Sequence, residues 1–303
     1  LPDLTITPPG SRASFSYLSS IWSILAIHNE TGRATLDIVG VQSEYQTKAL
    51  TQNSANIWSH LLGALWFIAS SLYHINAPSS PNSRLQDVLA IALYQLCVSV
   101  CFILSTFYHT FSDHSPALHK RGNELDHLGI VLVMWGTGMS GIHFAFYCHQ
   151  ALRNVYFSFL TLTGLGCAVY TLRPKFRRPE YRTTRFLMYC FLGASLFAPV
   201  VHGLLRFGSD LQPMMGLTSF LALALINFSG AAVYAARIPG RWYPRTFDLL
   251  GQSHNWMHVL VLTGALVTLK GLYDTLGVWQ VSTQDMGCAE TSCKKDHLYL
   301  GLG

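Results

Sequence analysis

The sequence predicts an all-α integral membrane protein with seven transmembrane helices, its N-terminus cytoplasmic and its C-terminus extracytoplasmic. Three observations predict it. Half of the 303 residues are hydrophobic and only 12% are charged, against about 25% in an ordinary soluble domain. Seven windows, 49–83, 88–112, 127–152, 154–172, 186–205, 211–236 and 249–269, hold no Asp, Glu, Lys or Arg. The basic residues collect in alternate connections between those windows.

Each window contains the run of about 20 mostly apolar residues that crosses the hydrocarbon core; in the first the apolar part is 57–75. A soluble chain of this length has no room to bury seven such helices. Lys and Arg accumulate in cytoplasmic loops. The second, fourth and sixth connections hold eleven: Lys120 and Arg121; Arg173, Lys175, Arg177, Arg178, Arg182 and Arg185; Arg237, Arg241 and Arg245. The odd connections hold three, Arg84, Arg153 and Arg206. The even connections are therefore inside.

Three regions follow. Residues 1–56 form a cytoplasmic N-terminal region, in which 15–27 (FSYLSSIWSILAI) reads as a short amphipathic helix at the membrane interface. Residues 57–273 form the transmembrane domain and 274–303 an extracytoplasmic tail. The first twenty residues carry no basic segment leading into an apolar run, the mark of a secretory signal. Four cysteines, Cys97, Cys101, Cys167 and Cys190, fall within spans as small core residues. Cys288 and Cys293 lie in the tail, where a disulfide requires an oxidising compartment.

Ionisable residues inside a span are costly and point to function. With the direction of each span fixed, His60, His109, Asp126, His254 and His258 all fall near the inner face. His254 and His258 are four apart and share one helix face. That spacing offers two imidazoles to one metal; a third, from His109, completes the three protein ligands of a catalytic zinc with one open position. Asp126 has the depth to hold or deprotonate a water there, or to orient a ligand histidine. Ser105, one turn before His109, is placed to hydrogen-bond the group. His60 is either a further ligand or a hydrogen-bonding neighbour. His74, His143, His202, His114, His119 and His127 read as interfacial or packing residues. Lys270, at the outer end of its span, reads as a snorkelling lysine.

At these residues the chain resembles the progestin and adipoQ receptor family, which includes the adiponectin receptors and the haemolysin-III-related proteins. HNETG (28–32) and NIWSHLLGA (56–64) match the entry to the first span. Ser105-Thr106-Phe107-Tyr108-His109 matches a Ser-x₃-His motif, Asp126 in ELDHLGI (124–130) a third-span aspartate, and Ser253-His254-Asn255-Trp256-Met257-His258 a seventh-span His-x₃-His. The wording is most similar to the fungal branch. Residues 33–55 interrupt the match as an atypical insertion, polar and without a convincing helical period.

The resemblance implies a zinc ion held by His109, His254 and His258, with Asp126 contacting its water. It also implies one of three functions. The first is a ceramidase-like hydrolysis of a lipid amide, with ceramide or fatty acid as the membrane lipid partner. The second is a receptor for an extracellular ligand with a structural zinc. The third is a transporter or pore of haemolysin-III type. No feature suggests nucleic-acid binding; the basic run from Arg173 to Arg185 follows from topology and anionic lipid contact. The membrane is the plasma membrane or an endomembrane.

Overall fold

The structure is a computed structural model that describes residues 40–77, 84–112, 114–174, 179–208, 212–243, 246–247 and 251–285. The interfacial helix at 15–27 and the cysteines at 288 and 293 lie outside the described residues. Among the described residues the regular structure is helical throughout. Eight α-helices occur: α1 (Gly40–Asn76), α2 (Leu85–Phe111), α3 (Pro116–Ala145), α4 (Gln150–Leu172), α5 (Arg182–Ser195), α6 (Phe197–Phe207), α7 (Leu217–Ala236) and α8 (Ser253–Asp285).

Among the described residues, six segments are long and apolar enough to cross a membrane: Leu85–Phe111, Pro116–Ala145, Gln150–Leu172, Leu187–Phe207, Leu217–Ala236 and Ser253–Val281. The first window is helical but falls short of the others in hydropathy, because Ser59, His60, Ser70, Ser71 and His74 interrupt its apolar run. The segment Leu187–Phe207 is built from two helices that meet at Leu196. Pro199 has no N–H to give the Ser195 carbonyl, and its ring crowds that carbonyl, so a continuous helix is disfavoured there.

Two boundaries differ from the sequence reading. α1 is 37 residues long and runs through most of the insertion. Residues 41–55 contain no Pro or Gly and several straight-chain residues of good helix propensity. A helix nucleated at 57 extends backward through them at little cost. α8 continues to Asp285, beyond the assigned end of the domain, and buries Thr275, Leu276 and Trp279.

The helices pack mainly on their sequence neighbours, and α8 closes the bundle against α1, α2 and α3. The α2–α3 crossing sets the register of the site. Gly122, Gly129 and Gly136, one heptad apart on α3, face Tyr108, Cys101 and Cys97 of α2. Small residues let two membrane helices approach closely. Farther along the same antiparallel seam, Ser140 Oγ donates to the Ala90 carbonyl at 2.6 Å and His143 meets Asp87. Phe67, Tyr94, Val98, Phe102, Ala265 and Leu269 fill the space between α1, α2 and α8. Leu89, Leu96 and Ile103, seven apart on α2, are exposed. So are Leu162, Leu165 and Val169 on α4 and Leu221, Leu225 and Phe228 on α7. An apolar coat of this extent suits lipid, not water.

Candidate metal centre

Two helix ends bring the three predicted histidines together. His109 sits in the last turn of α2. His254 and His258 lie in the first two turns of α8, whose start is supported by the Gln252 N–H donating to Asn255 Oδ1 at 3.2 Å. Because α2 ends where α8 begins, the three rings converge. One donor atom from each of His109, His254 and His258 lies within 4.8 Å of the other two. The ring centroids are 4.9 Å apart for His109 and His258, 5.2 Å for His109 and His254, and 4.8 Å for His254 and His258. His109 and His258 are buried, and His258 Nδ1 has no hydrogen-bond partner among the described residues. Clustered imidazoles with a buried, unsatisfied nitrogen fit a metal better than they fit packing. An imidazole-only set suits zinc, copper, iron and nickel.

Asp126 is partly buried on α3 and stands outside this group of three. The seam described above places it opposite Ser105, close enough for a side-chain hydrogen bond. Ser105 is fully buried and one turn from His109.

His60 of α1 joins the layer as a stacked ring. Its centroid is 4.1 Å from that of His258 and 4.4 Å from that of Phe102. Tyr234 of α7 approaches His254 at 5.2 Å.

The chain matches the family described as "Haemolysin-III related" over residues 48–269, which contain every histidine of the layer. The chain belongs to the haemolysin-III-related family. Among relatives of the haemolysin-III-related chain is the adiponectin receptor protein of Drosophila melanogaster, 31% identical over 265 residues, covering 87% of this chain and 53% of the relative. The ADIPOR-like receptor IZH2 of Saccharomyces cerevisiae is 29% identical over 228 residues, 75% and 72% of the two chains. Human progestin and adipoQ receptor family member 3 is 29% identical over 225 residues, 70% of each. The haemolysin-III-related chain spans about half the length of the fly relative.

The remaining histidines pack. His202 bonds the Tyr156 hydroxyl at 2.7 Å, His127 the Asn123 carbonyl and His119 the Ser112 carbonyl. His74 rests edge-on against Tyr273. Lys270 is exposed and pairs with Asp274 one turn away. His143 departs from this pattern, because Asp87 is its partner. The Asp87 carboxylate is 1% exposed and accepts from His143 Nε2 at 2.7 Å, the Tyr147 hydroxyl at 2.9 Å and the Arg84 backbone N–H at 3.2 Å. Asp87 borders a charge-free window and was not singled out from the sequence. The signal that could have flagged it is a carboxylate three residues into a helix, where it suits both the cap and the dipole.

An apolar cleft lies in the half of the bundle away from the histidines. It is lined by residues of α3, α6, α7 and α8, among them Gly138, Val200, Phe220, Thr268 and Gly271, and encloses about 670 Å³ with its mouth. None of its lining residues belongs to the histidine group. On α8 it begins at Thr268, about 15 Å of helix rise beyond His258.

Proposed function

We propose that this chain is a seven-span, zinc-dependent lipid amide hydrolase, with ceramide as its substrate class and its metal centre near the cytoplasmic face. The observation that carries the reading is the layer of His109, His254 and His258, with Ser105 and Asp126 beside it. These three histidines would hold the zinc. When bound, zinc acts as a Lewis acid and lowers the pKa of water at its open position.

The chain's own groups do the rest. A carboxylate oxygen of Asp126 takes a proton from the attacking water and returns it to the amine leaving group. Ser105 Oγ holds the carboxylate in place through their shared hydrogen bond. Phe102 and the helices around it exclude bulk water, which strengthens every electrostatic interaction inside.

The seventh span is α1, and two features support it. Leu62, Leu65, Leu72 and Ile75 are exposed on its surface, and its opposite face carries the buried Phe67 and Ala64. Support for a cytoplasmic N-terminus comes from Cys148, just past the end of α3, which is disulfide-bonded. Disulfides persist in oxidising compartments, and that connection is one of the Lys- and Arg-poor ones.

The test is metal analysis of purified protein with an assay for fatty acid released from ceramide. Zinc at one equivalent in wild type, its loss in His254→Ala/His258→Ala, and release that disappears in Asp126→Ala support the reading. Zinc-loaded protein that releases no more fatty acid than Asp126→Ala sinks it.

A receptor with a structural metal is the second reading, favoured by a ligand set that staples the end of α2 to the start of α8. Its mark is an outer-face ligand that binds while ceramide is untouched. The pore reading loses ground to the packed aromatic core of Phe67, Tyr94 and Phe102, which separates the polar groups at the two ends of the bundle.

A further inference from the structure

The motif at the start of the first span has no role in the reading above, yet it faces the metal ligands. Asn56 and His60 are four apart on α1; Asn255 and His258 are three apart on α8. Each pair shares a helix face, and the two faces meet as two rungs. Asn255 Nδ2 donates to Asn56 Oδ1 at 2.7 Å, with both residues buried. One turn on, His60 lies against His258 with centroids 4.1 Å apart and ring planes tilted by 41°.

His60 is 5% exposed, and neither of its ring nitrogens has a side-chain hydrogen-bond partner among the described residues. A phenylalanine would fill the same space between Phe102 and His258 without burying ring nitrogens that lack a side-chain partner, which is costly. An imidazole here therefore serves its nitrogens, not its bulk. It is not a member of the group of three whose donor atoms lie within 4.8 Å of one another. Its ring nevertheless packs directly against that of His258, one of the three.

We propose that His60 is a substrate-contacting residue, donating a hydrogen bond from one ring nitrogen to the oxygen of the polar group seated at the metal, while the Asn56–Asn255 rung fixes its helix against α8. The proposal rests on the metal-centre reading. It assigns the recognised chemistry to an amide, carboxylate or hydroxamate oxygen.

The experiment uses full-length protein loaded with cobalt(II), whose visible spectrum reports its ligands, titrated with acetohydroxamate. His60→Phe keeps one equivalent of cobalt and the wild-type spectrum, but binds acetohydroxamate at least tenfold more weakly. His60→Gln, which restores a donor, returns to within about threefold of wild type. Wild-type probe affinity in His60→Phe makes His60 a packing residue and overturns the proposal. Loss of cobalt, or a changed spectrum before probe is added, makes it a ligand and also overturns it. If His60→Phe does not fold, His60→Gln decides: near wild-type probe affinity supports the proposal, and tenfold weakening defeats it. Wild-type protein that takes up no cobalt, or that keeps it in His254→Ala/His258→Ala, removes the metal-centre reading itself, and is seen before any His60 variant is compared.

Discussion

Nε2 of His143 on α3 lies 2.7 Å from Oδ1 of Asp87 on α2, tying the two helices at the end of the bundle opposite the three clustered histidines. The pair is buried on both sides. Removing His143 takes one hydrogen bond from a buried carboxylate that keeps the Tyr147 hydroxyl and the Arg84 N–H, a loss of about 1.5–3 kcal/mol, and removing both partners costs less than the two single losses together. His143→Ala should lower the melting temperature in detergent sharply, and Asp87→Asn/His143→Ala should lose less than the two single changes together. Strict additivity in that cycle would show that the two residues do not interact.

The glycine seam makes a steric prediction. A Cβ at Gly136 would stand 2.7 Å from the Cβ and Sγ of Cys97, with no flexible side-chain end to yield. Gly136→Ala should therefore cost about 1–3 kcal/mol by overpacking. Gly141, whose Cβ would meet nothing within 4 Å, should accept alanine with little change. Melting of the two variants under one condition checks the contrast.

The seam also explains how much of the site was legible in the sequence. Six of the span positions and the shared depth of the clustered histidines follow from local features: charge-free windows and an i,i+4 spacing. Depth is a one-dimensional quantity, and a sequence carries it. Which rings touch is lateral, and depends on how helices rotate against one another. Ser105 was placed one turn from His109, but its approach to Asp126 depends on the α2–α3 register. His60 had the right depth; that it stacks on Phe102 and lies tilted against His258 instead of joining the three depends on α1 packing beside α8. Asp87 and His143 were missed as a pair because Asp87 was not singled out and His143 read as an interfacial or packing residue. The length of α1 was missed because polar residues of good helix propensity have no apolar period to reveal them.

The histidine cluster predicts metal-linked stability. A ligand that binds only the folded state adds about 4 kcal/mol at a thousand times its dissociation constant. Stripping purified protein with a chelator should lower its melting temperature, and added zinc should restore it. His109→Ala should start at the stripped value and respond to neither treatment. Equal melting of stripped and loaded wild type would remove the metal from this layer.

Orientation has its own test at Cys148, which is disulfide-bonded. If the connection after α3 faces the oxidising side, an impermeant maleimide applied to sealed, right-side-out vesicles labels Cys148 only after an impermeant reductant. Labelling that needs permeabilised membranes instead would invert the topology and place the histidines at the outer face.

The last prediction separates Asp126 from the ligands. The carboxylate stands outside the group of three histidines, so its loss should leave the metal in place. Asp126→Asn keeps the size of the side chain and a partner for Ser105 but cannot take a proton. General-base catalysis contributes about 10²–10⁴ in rate. Asp126→Asn should therefore hold one equivalent of zinc, melt near the wild-type temperature and release fatty acid from ceramide at least about a hundredfold more slowly. Ser105→Ala removes one hydrogen bond to the carboxylate, an effect of about tenfold, felt in kcat and not in zinc content. If Asp126→Asn instead loses zinc, the carboxylate supports the ligands and does not move a proton. If it keeps both zinc and full activity, the base lies elsewhere in the layer, and His60 is the next buried group to test.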